Sequence, residues 1–566
     1  MSLTGTLNIG KSALATHQAA IQTTGNNIAN AGNADYTRQT ASTAPSRDQQ
    51  LRPGVFVGTG VNLTGIQRHI DEALEGRIRG SISDNEGAAS TEQWIGRVES
   101  TLNELSDDDL SSQLSTFFNS WSNLANKPQD VGFRQIVVQN GDTVASWVKD
   151  LRSQLGSLRQ DVDNRLQAQV EDADALAGQI ADLNVEIVAS EGGSAGQANG
   201  LRDQRDGLLK QLSQLIDVRA VEQQNGTLNV YVGSDPLVIN GDSRGLTLRN
   251  ETIDGEVTPV VAYKADNGNV RITSGQIGSL TSVRKQIGDY VDQVDEMAGN
   301  IIFELNKLHS SGQGLEGLAA VSATNVVEDS TVALNDDRAG VPFKATNGSF
   351  VVHVKEKATG LVTSTLIEVD LDGLDGDDTT LDDLTTALGN IAGISATNAS
   401  GLLKLSTDSS AIEMSFSQDS SGVLAALGVN GFYSGSDATD IAVNTAIKAN
   451  PALLSAAKNG EKGDNQTALA IAALESTKLP SLGGASLKDK YQSFVNEIAI
   501  SAADAKNDAQ ATAVVKETLF AQRQALSGVS LDEEAINLIR QQRAFQGASR
   551  LIAAVDELME QILALV

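Results

Sequence analysis

Ser530-Leu-Asp-Glu-Glu-Ala-Ile-Asn-Leu-Ile-Arg-Gln-Gln-Arg-Ala-Phe-Gln-Gly-Ala-Ser-Arg-Leu-Ile-Ala-Ala-Val-Asp-Glu-Leu-Met-Glu-Gln-Ile-Leu-Ala-Leu-Val566 is the stretch whose reading decides the fold. Leu538, Phe545, Ile552, Met559 and Val566 recur every seven residues, with Ala548, Val555 and Ile562 at the second seam offset. Sustained seven-residue spacing predicts a helix with a left-handed coiled-coil seam. Ser530 followed by Glu533 predicts a capping box, and the acidic first turn suits the positive helix terminus. The other end answers it, because Leu7, Leu14, Ile21 and Ile28 also step by seven, with Leu3 before them. A helix with one thin seam is marginal alone. Each terminus therefore needs a partner, most simply the other terminus and neighbouring subunits.

Working inward, Val144, Val148, Leu151, Leu155, Leu158, Val162, Leu166, Val170, Ala173, Ala177, Ile180, Leu183 and Ile187 step by three or four, which predicts one helix of unusual length. Shorter seams run through 201–216, 277–308 and 487–526. Together these predict an elongated bundle drawn from both halves of the chain. Two stretches break the pattern. Residues 219–273 alternate and turn at Asn225-Gly226, Asn240-Gly241 and Asn267-Gly268. Residues 312–439 form a second β-rich block, with a helix expected after Thr380. The expected class is therefore α+β and multidomain: a long discontinuous coiled-coil and bundle core from both termini, with two β-rich inserted outer domains. The expected division is 1–40 with 527–566 (terminal coiled coil); 41–217 with 276–310 and 440–526 (helical bundle with a small β-hairpin region); 218–275 (β-rich insert); and 311–439 (second, α/β insert).

Composition narrows the chemistry. With 42 Lys+Arg against 72 Asp+Glu the net charge is −30, which argues against nucleic acid and against a basic membrane-docking face. The 566 residues contain no cysteine, so thiolate nucleophiles, cysteine-bound zinc and disulfides are excluded. No apolar run reaches a membrane span and no cleavable signal peptide is visible at the amino end, so no membrane insertion is expected. Gly5-Thr-Leu-Asn-Ile-Gly-Lys-Ser12 matches a phosphate-loop pattern, yet the seam through Leu7 and Leu14 puts it inside a helix. Gly192-Gly-Ser-Ala-Gly196 matches a nucleophile elbow, but it follows a helix rather than a strand. Asp370, Asp372, Asp375 and Asp377, with Asp378, are the one candidate cation cluster. The glycine and glutamate of a calcium loop are out of place there, and an acidic turn between strand and helix accounts for it more simply. The four histidines, His17, His69, His309 and His353, form no metal-binding pair. No cofactor and no enzymatic activity are expected.

Thr24-Gly-Asn-Asn-Ile-Ala-Asn-Ala31 and Asp35-Tyr-Thr-Arg-Gln39 resemble the amino-terminal signature of the bacterial flagellar axial family of rod, hook and hook-associated proteins. Val57-Gly-Thr-Gly-Val61 with Ile66-Gln-Arg68, Leu201-Arg-Asp-Gln-Arg-Asp206, Gly226-Thr-Leu-Asn-Val-Tyr-Val-Gly233, Gly463-Asp-Asn465 and Gln541-Gln-Arg-Ala-Phe-Gln546 are similar to hook-associated members in the same order. Within 311–439, residues 380–384 and 423–428 resemble a repeat of flagellin variable regions. The resemblance implies a structural subunit joining hook to filament, polymerising through Leu7, Leu14, Ile21, Asn26, Asn27, Ile28, Asn30, Tyr36, Arg38, Leu538, Phe545, Ile552, Val555, Met559 and Ile562. It implies as partners other copies in a ring-like oligomer, the hook protein, the third hook-associated protein, an export chaperone and the type III export apparatus. The expected location is the extracellular flagellum, reached without a cleaved signal. The other readings are a different axial component, or an adhesin or calcium-binding role for the 311–439 insert.

Overall fold

The computed structural model describes residues 3–33, 35–102, 109–192, 196–253, 255–374, 376–461 and 463–564. The helices are α1 (Leu3–Ala29), α2 (Glu72–Leu102), α3 (Leu110–Asn126), α4 (Val131–Glu191), α5 (Asn199–Leu215), α6 (Gly275–Ser310), α7 (Leu381–Gly389), α8 (Val423–Leu427), α9 (Thr445–Ala449), α10 (Gln466–Ala473), α11 (Leu487–Ser527) and α12 (Leu531–Leu563). The chain divides into two compact units, 1–94 with 162–283 and 503–566, and 95–161 with 284–502. The continuous three-and-four stepping from Val144 to Ile187 is one helix, α4, of 61 residues. Among the described residues, no helix is long and apolar enough to cross a membrane.

In the first unit, Leu74, Ile78 and Ile82 make one stripe of α2 and bury against Leu519 of α11. Polar ties flank the stripe: Arg523 Nε donates to Glu75 Oε1 at 2.7 Å with both side chains buried, and Lys516 pairs with Glu86 at 3.4 Å. The strands here are β1 (Gln39–Pro45), β2 (Gln49–Arg52), β3 (Val55–Val57), β4 (Val61–Arg68), β5 (Val218–Glu222), β6 (Leu228–Val232), β7 (Asp235–Ile239), β8 (Asp242–Ser243), β9 (Leu246–Ile253) and β10 (Glu256–Tyr263). Strands β1 and β4 pair antiparallel, β2 and β3 form a hairpin, β5 to β8 form a four-stranded meander, and β9 pairs with β10. Asn225-Gly226 and Asn240-Gly241 sit at turns of the meander and Asn267-Gly268 at the turn after β10; Asn240 and Asn267 adopt positive φ and Gly226 has φ 86°. Gly275 opens α6 with φ 78°, and a Cβ there would lie 2.6 Å from the Leu215 backbone, so only glycine lets α6 start against the end of α5.

In the second unit the strands are β11 (Ala320–Ser322), β12 (Gly348–Glu356), β13 (Val362–Val369), β14 (Ile394–Ala399), β15 (Leu402–Thr407), β16 (Ile412–Ser417), β17 (Tyr433–Ser434) and β18 (Ala442–Val443). They form two three-stranded sheets, β11-β15-β14 and β13-β12-β16, and a small β17-β18 pair. Thr380 and Asp383 cap α7 reciprocally, which starts the helix expected after Thr380. Phe350, Val352, Leu384, Met414, Phe416 and Leu424 lie in one dry core between these sheets and helices. A second cluster joins Phe117, Trp121, Phe432, Tyr433 and His309. His309 is fully buried; its Nδ1–H donates to Asn430 O at 2.9 Å and Ser455 N–H donates to its Nε2 at 2.9 Å. Burial, aided by Arg134, pushes the His309 pKa down to about 4 despite the Asn430 bond, so the ring is neutral.

Candidate assembly interface

Helices α1 and α12 pair antiparallel: Asn27 meets Glu534, His17 Nδ1–H donates to Gln541 Oε1 at 2.8 Å, and Gly10 faces Ile552. A Cβ on Gly10 would sit 2.6 Å from Ile552 Cγ1, so the helices close because this position has no side chain. The buried positions on α1 are small or polar, namely Gly10, Thr16, Ala20, Thr23, Thr24 and Asn27, and on α12 they are Glu534, Ala548 and Val555. The large seam residues Leu7, Leu14, Ile21, Ile28, Leu538, Phe545, Ile552 and Met559 are half-buried, while Ile562 is exposed. Close approach through small residues leaves larger neighbours at the rim. Ile536, Ile539, Leu551, Leu558 and Leu563 then stand exposed on α12, with Leu563 at 76%. Such an apolar helix surface marks an unfinished interface.

Asn27 locks the end of this pair. Its Nδ2 donates to Gln39 O at 2.8 Å and to Glu534 Oε2 at 2.9 Å, while its Oδ1 accepts from Gln39 N–H at 3.0 Å and from the Tyr36 hydroxyl at 2.7 Å. Two donors and two acceptor directions on one side chain are what an amide offers, and all are satisfied at 1% exposure. Asn26 Nδ2 donates to the Tyr36 hydroxyl at 3.3 Å, and Asn30 Nδ2 bonds Asn26 O at 2.9 Å, capping the last turn of α1. Burial first, then the Asp203 and Glu534 carboxylates, push the Tyr36 phenol up to about 12, which keeps it a donor. Arg38 Nε donates to Glu534 Oε1 at 3.0 Å, its Nη2 lies 3.4 Å from Glu533, and its N–H donates to Ser527 O at 3.0 Å. Ser530 Oγ accepts from Glu533 N–H, giving the cap itself. The signature thus ties the end of α1, the start of β1 and the α11–α12 corner together. Glu534 and Gln541 are the partners that heptad spacing does not flag; the signal for Glu534 was the lone cation Arg38 facing an acidic first turn.

The Leu201–Asp206 motif builds a second network. Arg202 holds Glu191 in a two-pronged bond (2.8 and 3.0 Å) and also reaches Glu222. Burial pushes the Glu191 carboxyl up, but Arg202 and the backbone N–H groups of Ala198 and Gly196 outweigh it and hold it down at about 2. Arg205 Nη1 donates to Asn184 Oδ1 at 2.9 Å and Gly226 O at 2.8 Å, while Asn184 pairs with Leu228 through both N–H and C=O. Arg68 on β4 bridges Asp203 and Asp206 at 2.8 and 2.7 Å. A mixed cleft of ≈ 840 Å³ lies beside both networks, lined by Asn26, Tyr36, Asn199 and Asp203 together with Ile66 and Leu208. It offers amides and carboxylates but no nucleophile paired with a base.

The remaining sequence candidates fall elsewhere. The phosphate-loop pattern lies within α1, where Ser12 Oγ bonds Ile9 O. Ser194 lies outside the described residues. Asp370, Asp372 and Asp378 bring carboxylate oxygens within 4.8 Å, Asp377 is outside that group, and Asp375 lies outside the described residues. Those carboxylates accept N–H groups of their own turn, from Asp372, Gly373 and Leu374. His69 meets Thr40, and His353 sits between the Ser364 and Ser417 hydroxyls.

Residues 95–322 match the family described as "flagellar hook-associated protein FlgK helical domain", and 522–565 match "flagellar basal body rod FlgEFG protein C-terminal". Flagellar hook-associated protein 1 of Escherichia coli K12 is 26% identical, over 98% of this chain and 99% of the relative. The protein of that name from Bacillus subtilis is 24% identical, over 98% of this chain and 97% of the relative. The solved flagellar hook junction protein FlgK of Burkholderia pseudomallei shares the fold at TM-score 0.50 and 18% identity, covering 80% of this chain and 100% of that one. The matches run through both chain ends and the helical middle, and over nearly its whole length the chain is similar to flagellar hook-associated protein 1.

Proposed function

We propose that this chain is a structural, non-enzymatic subunit of the bacterial flagellum that joins hook to filament and is required for filament assembly. The observation that carries the reading is the α1–α12 pair, which is locked at one end by Asn27, Arg38 and Glu534 yet leaves Leu551, Leu558 and Leu563 bare. An amphipathic pair with one face uncovered gains its remaining burial from other copies. The match over 95–322 is to hook-associated proteins, whereas the rod-type match is confined to 522–565, so a rod or hook subunit is the poorer reading.

We further infer that residues 1–40 and 527–566 carry self-assembly into a ring, and that 311–439 is displayed outward. The hook protein and the third hook-associated protein are its axial neighbours. The chain travels through the type III export apparatus without a cleaved signal, with a chaperone covering α12 beforehand in the helix-in-groove manner. Replacing Phe545 and Ile552 together by Asp tests the reading. A carboxylate buried in an assembled seam costs several kcal/mol, so the expected phenotype is hooks without filaments and filament protein in the medium. Normal filaments on electron micrographs would sink the proposal.

A further inference from the structure

We propose that the β2–β3 ribbon is a docking arm that seats on the α11–α12 corner of a second copy of this chain; the inference rests on the axial reading above. Residues 47–56 are ten consecutive exposed positions, including Leu51 at 51% and Phe56 at 61%. An isolated two-stranded hairpin is at best marginally stable in water. This one holds three apolar side chains, Leu51, Val55 and Phe56, in solvent. Its turn is free of constraint from the rest of the chain: Gly54 has φ 81° and nothing lies within 4 Å of its Cβ position.

Its base, in contrast, is fixed. Ser46 N–H donates to Gly60 O at 2.9 Å, Thr59 Oγ1 donates to Arg47 O at 2.6 Å, and a Cβ on Gly60 would lie 2.5 Å from Ser12 Oγ of α1. A rigid root under an uncovered tip is an arm in continuity with the terminal pair.

Charge and surface select the occupant. Exposed Arg47 and Arg52, against the single carboxylate Asp48, give the ribbon a net positive charge in a chain of net charge −30. The α11–α12 region offers the complement: within α11, exposed Val514 and Val515 beside Glu517, and at the corner exposed Leu531 beside Asp532. Apolar meets apolar, and guanidinium meets carboxylate. Because the arm and the corner are different patches, the contact is heterologous and repeats from copy to copy around an axis, as a ring or a helical array and not as a two-fold pair.

The test introduces a photo-reactive side chain, Phe56→p-benzoylphenylalanine, into the full-length chain in flagellated cells, followed by irradiation of isolated flagella. The expected product is a multimer of this chain, with the crosslink mapping to residues 514–533 of the second copy. Crosslinking to a different protein, or incorporation without crosslinks, overturns the arm alone; failure of the chain to enter flagella overturns the axial reading and the arm with it. As a second variant, Phe56→Ser is expected to leave the monomer's melting temperature unchanged, since the side chain is exposed, and to reduce filament-bearing hooks at least tenfold. An unchanged filament count, or a monomer that melts early, would overturn the proposal.

Discussion

The residues around Phe350 and Phe416 and the α1–α12 pair are both hydrophobic by sequence, yet they bury opposite things. The first encloses Phe350, Val352, Met414, Phe416 and Leu424 almost completely and is a finished core. The second encloses Gly10, Thr16, Ala20, Asn27, Glu534, Ala548 and Val555, leaves Leu7, Leu14, Ile21 and Phe545 only partly covered, and leaves Ile536, Ile539, Leu551, Leu558 and Leu563 exposed. The difference teaches that a region's hydrophobic content does not say whether its folding is complete. What counts is whether the large side chains or only the small ones are inside. A core of large residues is complete in a lone molecule, whereas a pair closed by small residues leaves apolar surface uncovered on its rim.

The largest effect that tests the contrast is truncation of a core aromatic. Phe416→Ala is expected to destabilise the free chain by about 3–5 kcal/mol, while Phe545→Ala, at a partly covered position, is expected to cost about 1–2 kcal/mol in the free chain. Denaturant titrations of the two variants decide it, and equal losses would erase the distinction.

Acid should strike the finished core next. The folded pKa of His309, about 4, lies below its ordinary value of 6.5, so the unfolded chain binds the proton first. Its contribution is whole above pH 6.5 and is lost as pH falls toward 4, about 3 kcal/mol at ~1.4 kcal/mol per unit. A stability profile of the parent chain and of His309→Gln measures it; parallel slopes for both between pH 6.5 and 4 would contradict the assignment.

The smallest expected change is in the terminal lock. Asn27→Asp removes the donors to Gln39 and Glu534 and sets a carboxylate beside the buried Glu534 carboxylate. About 2 kcal/mol should be lost. Hydrogen exchange should show it as faster opening of α1 and α12 with unchanged protection of β12 and β16. Uniform loss of protection would mean the two regions unfold as one.

Much of this was legible beforehand because helical periodicity is a local property. The stepping of apolar residues marked α4, α6, α11 and α12, and the Asn-Gly pairs marked turns that need positive φ at Asn240 and Asn267. The Asn-Asn-Ile-Ala-Asn signature and Tyr36-Thr-Arg-Gln39 announced a lineage. The roles of their atoms were not readable. That Glu534 receives both Asn27 and Arg38 depends on residues more than 490 positions apart in sequence, and Asn27's other three bonds depend on how the chain turns back from α1 into β1. Heptad counting also ranked Leu7, Leu14, Ile21 and Ile28 as the seam, whereas the fully buried line on α1 runs through Gly10, Thr16, Ala20, Thr23 and Asn27.

The amino-acid order alone marked α1, α4, α5, α6, α11 and α12 as helices and showed that cysteine chemistry is absent, since apolar stepping is a local property, whereas α2, α3 and the first turns of α4 carried no seam that the spacing singled out. Only the tertiary structure decided which face of α1 meets α12, because packing two helices closely favours the stripe with the least bulk over the stripe with the most grease. It also decided that Ile536, Ile539, Leu551, Leu558 and Leu563 of α12 and the tip of the β2–β3 ribbon are exposed.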